Sequence, residues 1–549
     1  MNTFSALNRQ QTLQKIDGDF FDLIVIGGGI TGAGIALDAA TRGMKVGLIE
    51  KSDFASGTSS KSTKLIHGGL RYLKQLEFKL VNEVGRERAI VHRLAPHLVH
   101  PEKMILPIIE GGTLGKFGTT IGLAVYDFLA GVKGDDRFKI FSKKKTMQEE
   151  PLLDTTKLKA GALYAEYRTD DARLTIELLK TAAEHGAVSL NYIRAVDFNY
   201  DEAGQLTGVN CKDELSGFEF EINSQHVVSA AGPWVDELRV KDKSKTNKSI
   251  FLSKGAHIVV PYERLPIKHT VYFDVPDGRM MFAVRRHRTT YIGTTDTPYK
   301  GDRNAIFADN ADVQYILDGT NAMFPDVNLT LDDVESTWAG VRPLIFEEGK
   351  SGSEMSRKDE IFVGKSGLLS IAGGKLTGYR KMAQRIVDIV AKRAKANGKK
   401  FKKCQTKNIA LKGGPFANYK AVNDYKTQLA QILAKDGIDE YYADYLVSNF
   451  GQQATQIIDK MKDFEGTGEE KLARAELWYT VHHELVFNAN DFFNRRTGRI
   501  YFNMPSLQAL TSVILDDLTN YFDWDASQRA QAQQDLATDI QSVLNFEMA

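Results

Sequence analysis

The chain has little of what small secreted or metal-built proteins depend on. Only two cysteines occur in 549 residues, Cys211 and Cys404, far apart and outside any Cys-x-x-Cys or Cys/His spacing. That excludes a disulfide framework and a thiolate zinc site, and no metal is expected; a reducing compartment is the default. Proline is scarce, 13 residues against 46 glycines, so the chain turns on glycine and carries no proline-rich disordered tract. Charge of one sign is absent in bulk: 71 Lys plus Arg against 70 Asp plus Glu leave a net charge of +1. No global field therefore draws the molecule to nucleic acid or to an anionic bilayer, and any anion recognition has to be local. Long hydrophobic runs are missing too. Met1 to Phe20 lacks the apolar core of a signal peptide. Thr119 to Val132, the most apolar helical stretch, contains Asp127 and falls short of the ~20 residues a spanning helix needs. A cytoplasmic protein is expected, with a peripheral contact at the inner membrane face left open. What remains is a folded chain, 42% hydrophobic and 26% charged, long enough for roughly three to four units at about 150 residues each.

The first element is the apolar run Phe21 to Ile26, the pattern of a strand buried on both faces of a parallel sheet. It ends in Gly27-Gly28-Gly29. Ala33, Ala36, Leu37 and Ala40 then recur at helical spacing, Gly43 reads as a C-cap, and Lys45 to Ile49 is a second strand. Further on, Asp171 to His185 reads as a helix and Val188 to Tyr192 as a strand. Val227 to Gly232 and Gly367 to Gly374 each run as strands into glycine turns. Short alternating runs between Lys254 and Thr297 predict antiparallel strands, with Arg285 to Thr290 a hairpin connection whose arginines are expected to be solvated. Lys392 to Lys407 is a polar, Lys-rich linker candidate, and Tyr425 to Leu433, Tyr441 to Phe450 and Leu507 to Phe522 carry helical periodicity.

Gly27-x-Gly29-x-x-Gly32, with Ile30 and Thr31 between its last glycines, supplies what a pyrophosphate needs: a tight turn, close backbone approach and a helix N-terminus of positive dipole. Glu50 lies eighteen positions after Gly32, at the end of the second strand, where an acid bonds a ribose hydroxyl and disfavours a 2′-phosphate. The fingerprint alone leaves NAD and FAD open. Ser52 to Gly69, a polar run punctuated by glycine, suits the wrapping of a larger cofactor. His482-His483-Glu484 is not a metal motif, because adjacent histidines leave a helix on different faces.

Seven motifs carry a resemblance. They are Gly-Gly-Gly-Ile-Thr-Gly-Ala-Gly (27–34), Gly-Thr-Ser-Ser-Lys-Ser-Thr-Lys-Leu-Ile-His-Gly-Gly-Leu-Arg-Tyr-Leu (57–73), Asp-Asp-Ala-Arg-Leu (170–174), Gly-Pro-Trp (232–234), Gly-Thr-Thr-Asp-Thr (293–297), Gly-Val-Arg-Pro-Leu (340–344) and Gly-Gly-Lys-Leu-Thr-Gly-Tyr-Arg-Lys-Met-Ala (373–383). In this order the chain resembles the FAD-dependent glycerol-3-phosphate dehydrogenase and α-glycerophosphate oxidase family. The resemblance implies an α/β (α+β) chain: a Rossmann-like FAD-binding domain of the amine-oxidase-like type from 20–75, 156–240 and 336–395, an inserted antiparallel substrate domain from 76–155 and 241–335, and a helical C-terminal domain at 410–549. Two positions depart from the family, Arg285 where proline is frequent and Ala231 where threonine is common.

By the same resemblance Gly27, Gly29, Gly32 and Glu50 hold the adenosine and pyrophosphate of FAD. Thr58, Ser59, Ser60, Lys64, His67 and Gly69 surround its diphosphate and flavin, and Gly232, Gly374, Leu376 and Thr377 complete the pocket. Arg71, Tyr72, His257, Arg342, Arg357 and Lys375 fall at the substrate, where arginine forks and a lysine suit a phosphate ester. The implied reaction oxidises sn-glycerol 3-phosphate to dihydroxyacetone phosphate by hydride transfer to FAD. His257 is the first candidate for the base that takes the hydroxyl proton, and His67 the second. Many oxidase members carry an insertion after Arg-Pro-Leu, whereas only Ile345 to Met355 stands there in this chain; that favours a quinone acceptor over O2. Two rivals stay open, an FAD-dependent amino-acid, amine or 2-hydroxy-acid oxidase and a non-enzymatic flavin sensor. A homodimer is expected from the family.

Overall fold

A computed structural model of the chain describes residues 4–66, 78–112, 118–120, 122–125, 137–347 and 359–546. The run at Leu23–Ile26 has no polar face, and all four residues are buried in the middle of a six-stranded sheet. Its order is Glu360–Val363, Leu369–Ala372, Val227–Ser229, Leu23–Ile26, Val46–Ile49, Val188–Leu190, parallel except for the first pair. Parallel strands need crossovers, and helices Ile30–Thr41, Asp171–Glu184 and Tyr379–Ala396 pack together in the same core as the sheet. The expected strand–helix–strand unit is present, with Gly43 in the left-handed region after the first helix.

A second, mixed sheet takes the alternating runs. Lys248–Pro261 pairs along its length with Ser336–Glu347, and Thr289–Gly293, Met280–Arg286 and Thr270–Asp274 follow; His100–Ile109 and Leu158–Arg168 extend it. Ser336–Glu347 and Leu158–Arg168 thus belong to the larger sheet, although their sequence numbers fall in the stretches expected around the cofactor. The hairpin at Arg286–Thr289 forms, but its arginines are not solvated as expected. Arg286 is buried, pairs with Asp170 at 2.8 Å and lies over the Phe502 ring, while Arg288 makes a two-pronged pair with Glu335 at 2.7 Å. Only Arg285 stays exposed, because helices from the C-terminal region cover the hairpin's other face.

Helices fill the C-terminal region from Tyr419–Leu433 to Ala526–Leu544. The outer ones share a core around Leu446, Phe450 and Leu472. The inner ones, with Leu477, Phe492 and Leu515, join the core of the parallel sheet. Charges cross that junction while fully buried: Glu484 accepts from Arg173 at 2.6 and 2.8 Å and from Lys180 at 2.9 Å, and Lys180 also reaches Gln453. Glu484 is therefore spent on ion pairs, and no group of three metal-ligating side chains occurs among the described residues. Cys211 and Cys404 are both free. Part of Thr119 to Val132 lies outside the described residues.

Candidate functional site

A cleft of about 930 Å³ opens along the carboxyl ends of the parallel strands and continues over the larger sheet, the usual place for a ligand in an open α/β sheet. At one end it is made of backbone. Gly27 has φ +114° and passes so close to Ala230 that a Cβ would lie 2.6 Å from the carbonyl oxygen; a Cβ on Gly32 would lie 1.9 Å from the Gly27 oxygen. Only glycine fits, so the turn is held under the helix Ile30–Thr41. That helix starts at Gly29 without a side-chain cap of its own, its Ile30 N–H donating to Ser59 Oγ at 2.9 Å, and Gly29, Ile30 and Thr31 form the wall. Glu50 accepts from the N–H groups of Gly28 at 2.7 Å and Ser52 at 3.0 Å, and burial pushes its carboxyl above the usual range against those bonds. An open helix N-terminus, glycines where a Cβ would block the approach, and an acid after the second strand fit the adenosine diphosphate of FAD.

Thr58, Ser59, Gly232, Gly374, Leu376 and Thr377 line the middle of the cleft. Gly373 and Gly374 sit at φ +78° and +80°, which lets the chain turn in front of Lys375. Ser60 and Lys64 are not on the wall. Lys64 is buried at φ +56° and donates to Asp171 at 2.6 Å and to the Ser60 carbonyl at 3.0 Å. Asp171 also accepts from the Ser62 N–H at 3.0 Å, so Lys64 anchors the loop from behind.

The other end is made of side chains. Arg342 leaves Ser336–Glu347 opposite Ser253 and is 31% exposed into the cleft. Its guanidinium donates to Thr294 Oγ1 at 3.1 Å and, at 3.4 Å, to the Thr295 carbonyl and to Asp296. A Cβ on Gly255 would come within 2.4 Å of it, so the glycine makes its niche. Lys375, Tyr164, Tyr272 and Arg279 share the wall. His257 does not. It is 1% exposed, stacked on Trp338 at 4.6 Å, and its Nε2 meets Thr63 Oγ1 at 3.0 Å; Thr63, not His257, reaches the cleft. Burial, and then the Arg342 and Lys64 charges, hold its imidazole well below the usual range. A base must reach the proton it takes, and in this geometry Thr63 stands between His257 and the cleft. His67, Gly69, Arg71, Tyr72 and Arg357 lie outside the described residues.

The sequence reading missed Lys61, Thr63, Tyr164, Trp234 and Asp296, all on the wall. Thr63, Trp234 and Asp296 stood inside quoted motifs. Lys61, its ammonium pushed down to about 8 by burial and by Arg495, stood in one too, among residues given roles around the cofactor.

Residues 22–380 match the model of the FAD dependent oxidoreductase family, and 404–529 that of the C-terminal domain of alpha-glycerophosphate oxidase. The chain belongs to the FAD-dependent oxidoreductases. It is 48% identical over 528 residues, 95% of either chain, to aerobic glycerol-3-phosphate dehydrogenase of Staphylococcus aureus. It superposes with a TM-score of 0.85, at 40% identity over 100% of this chain and 99% of the other, on the glycerol-3-phosphate dehydrogenase of Bacillus halodurans complexed with FAD. The L-alpha-glycerophosphate oxidase of Mycoplasma pneumoniae shares the fold at a TM-score of 0.55 and 17% identity, over 70% of this chain and 96% of its own. The expected family, fold and cofactor are thereby borne out for this flavoprotein.

Proposed function

We propose that the protein oxidises sn-glycerol 3-phosphate to dihydroxyacetone phosphate and passes the electrons to a quinone. The observation that carries this reading is a single cleft whose wall holds both the dinucleotide cradle and the cations Arg342 and Lys375. The two relatives named as dehydrogenases, matched over nearly their whole length, support it. FAD, when bound, supplies the hydride acceptor. Arg342 and Lys375 bind the phosphate, with Arg71, Tyr72 and Arg357 joining them by the family pattern, and Asp296 holds the guanidinium in place until a dianion competes for it. Because Thr63 stands between His257 and the cleft, the hydroxyl proton goes to His67, the other histidine of the family pattern. His67→Ala slows single-turnover flavin reduction by about a hundredfold or more, and His257→Ala leaves it nearly normal; the reverse result restores His257 as base.

The quinone reading sets the protein at the inner face of the membrane as a peripheral homodimer. Among the described residues no helix is long and apolar enough to cross a membrane. Exposed Lys392, Lys395, Lys400, Lys402 and Lys403 around one groove favour a surface contact with anionic lipid, which co-sedimentation with anionic and neutral vesicles tests. The function itself is tested by adding sn-glycerol 3-phosphate to the FAD-loaded protein without oxygen. The visible band of oxidised flavin bleaches and a quinone analogue restores it. No bleaching refutes the substrate, and rapid return in air with peroxide makes the protein an oxidase.

A further inference from the structure

The loop between Glu50 and the cofactor wall is tied to the C-terminal region by a charge that no cofactor contact explains. Asp53 is 1% exposed and carries a full set of partners. Arg496 reaches it with both terminal nitrogens, at 2.7 and 2.9 Å, Arg495 Nε donates to it, and Asn191 Nδ2 donates at 3.0 Å. Both arginines stand on one π-helical turn, Asp491–Arg496. That turn is itself fixed: Arg496 donates to the Glu484 carbonyl at 2.7 Å, Arg495 to Asp491 at 2.9 Å, and Tyr192 OH to Asp491 at 2.6 Å.

From Asp53 the path to the cofactor cradle is two residues long. Phe54 is fully buried against Gly28, and the Ala55 N–H donates to the Gly28 carbonyl at 3.1 Å, with Ala55 in the left-handed region at φ +60°. Gly28 and Ser52 are the two donors that fix Glu50, while the Ser52 and Glu50 carbonyls accept from Tyr192 and Ile193 at 3.0 and 2.7 Å. An alanine held at positive φ costs free energy and persists only where its surroundings over-determine it; the buried ion pair at the next residue but one is such a surrounding.

We infer that Arg495 and Arg496 of the C-terminal region are positioning residues for FAD: through Asp53 they hold the Glu50–Gly28 cradle in its binding shape. Retention of the cofactor is therefore a property of the C-terminal region as well as of the strand–helix–strand unit that touches it. The inference concerns FAD alone and stands whichever substrate the protein oxidises.

The experiment measures FAD dissociation constants and release rates by the recovery of free-flavin fluorescence from purified holoprotein. In Arg495→Met the constant rises about tenfold or more, the weight of one charge-assisted hydrogen bond. Activity lost on gel filtration returns with excess FAD. Arg495→Lys, which keeps the charge and one of the two bonds, gives an intermediate value and remains measurable should the methionine variant not fold. Leu446→Ala, in the outer helical core away from Asp53, lowers the unfolding temperature without weakening FAD. A constant within about twofold of wild type in Arg495→Lys and Arg495→Met, or an equal loss of FAD in Leu446→Ala, overturns the inference.

Discussion

The glycine turn after Leu23–Ile26 and the strand pair that carries Arg342 face the same cleft and are built by opposite means. At the turn the working groups are main-chain N–H donors, and the atoms that crowd Gly27 and Gly32 are main-chain carbonyls, which cannot move aside. At the substrate end the working groups are long side chains, and what crowds Gly255 is the flexible tip of Arg342. A backbone site is rigid and intolerant; a side-chain site can be retuned by one residue. Binding of a constant cofactor suits the first, and selection of a particular substrate suits the second.

That contrast can be broken at its strongest point. Gly32→Ala sets a methyl against the Gly27 carbonyl and should cost about 3 kcal/mol, since the core has no room to relax; the protein purifies without flavin, as its absorption spectrum reports. A loaded, stable variant would show that the turn can yield around a methyl group. Arg342→Ala removes a charged partner of the phosphate and raises KM about a hundredfold, while the flavin content stays full; a loss of flavin instead would join the two ends that this comparison separates.

The third effect is on stability and concerns acid. His97 is buried with no hydrogen-bond partner among the described residues, and burial followed by the Lys180 charge pushes it down to about 3; burial followed by the Arg342 charge lowers His257. A histidine whose folded value lies below its unfolded one adds stability that is fully present above about 6.5 and is lost as the pH falls, because only the unfolded chain takes up the proton. His97 alone then costs about 2 kcal/mol between pH 7 and pH 5. Asp53, lowered to about 2, keeps its charge throughout that range, whereas Asp491, raised to about 6 by burial and by Asp53, takes up a proton when folded and offsets part of one histidine's contribution. Urea midpoints at pH 7 and pH 5 measure the net fall; an unchanged midpoint contradicts it. The smallest effect sharpens the contrast most. Gly255→Ala displaces a side chain rather than backbone, so the enzyme folds, keeps its flavin and shows a KM raised about tenfold, against the loss of holoprotein in Gly32→Ala.

The two ends also differ in how well the sequence announced them. Gly27, Gly32 and Glu50 lie within one strand–helix–strand unit, so their spacing alone carries their geometry. Lys64 looked like a cofactor contact because it stands in the right loop, yet its direction depends on a left-handed residue and on Asp171, more than a hundred positions away. His257 was assigned to the cleft from a strand whose neighbours were unknown; once Gly293 and Trp338 flank it in register, its ring is roofed over. Thr63 and Lys61 stand in the same motif as Ser59 and Lys64, but which side chains of that loop turn to the wall is set by contacts from strands and helices distant in sequence.

Arg173 and Lys180 sit on a helix of the flavin-binding stretch, and besides Glu177 beside them they share a second counter-charge, Glu484, contributed from beyond residue 404. Breaking a buried pair by removing one partner costs about 3 to 5 kcal/mol, a large share of what a folded chain has in reserve. The point at which the two matched families abut is therefore no place to cut. Either piece produced alone would keep part of this buried ion pair without its counter-charge, and so would lose the stability that the pair's two sides give each other only in the whole chain.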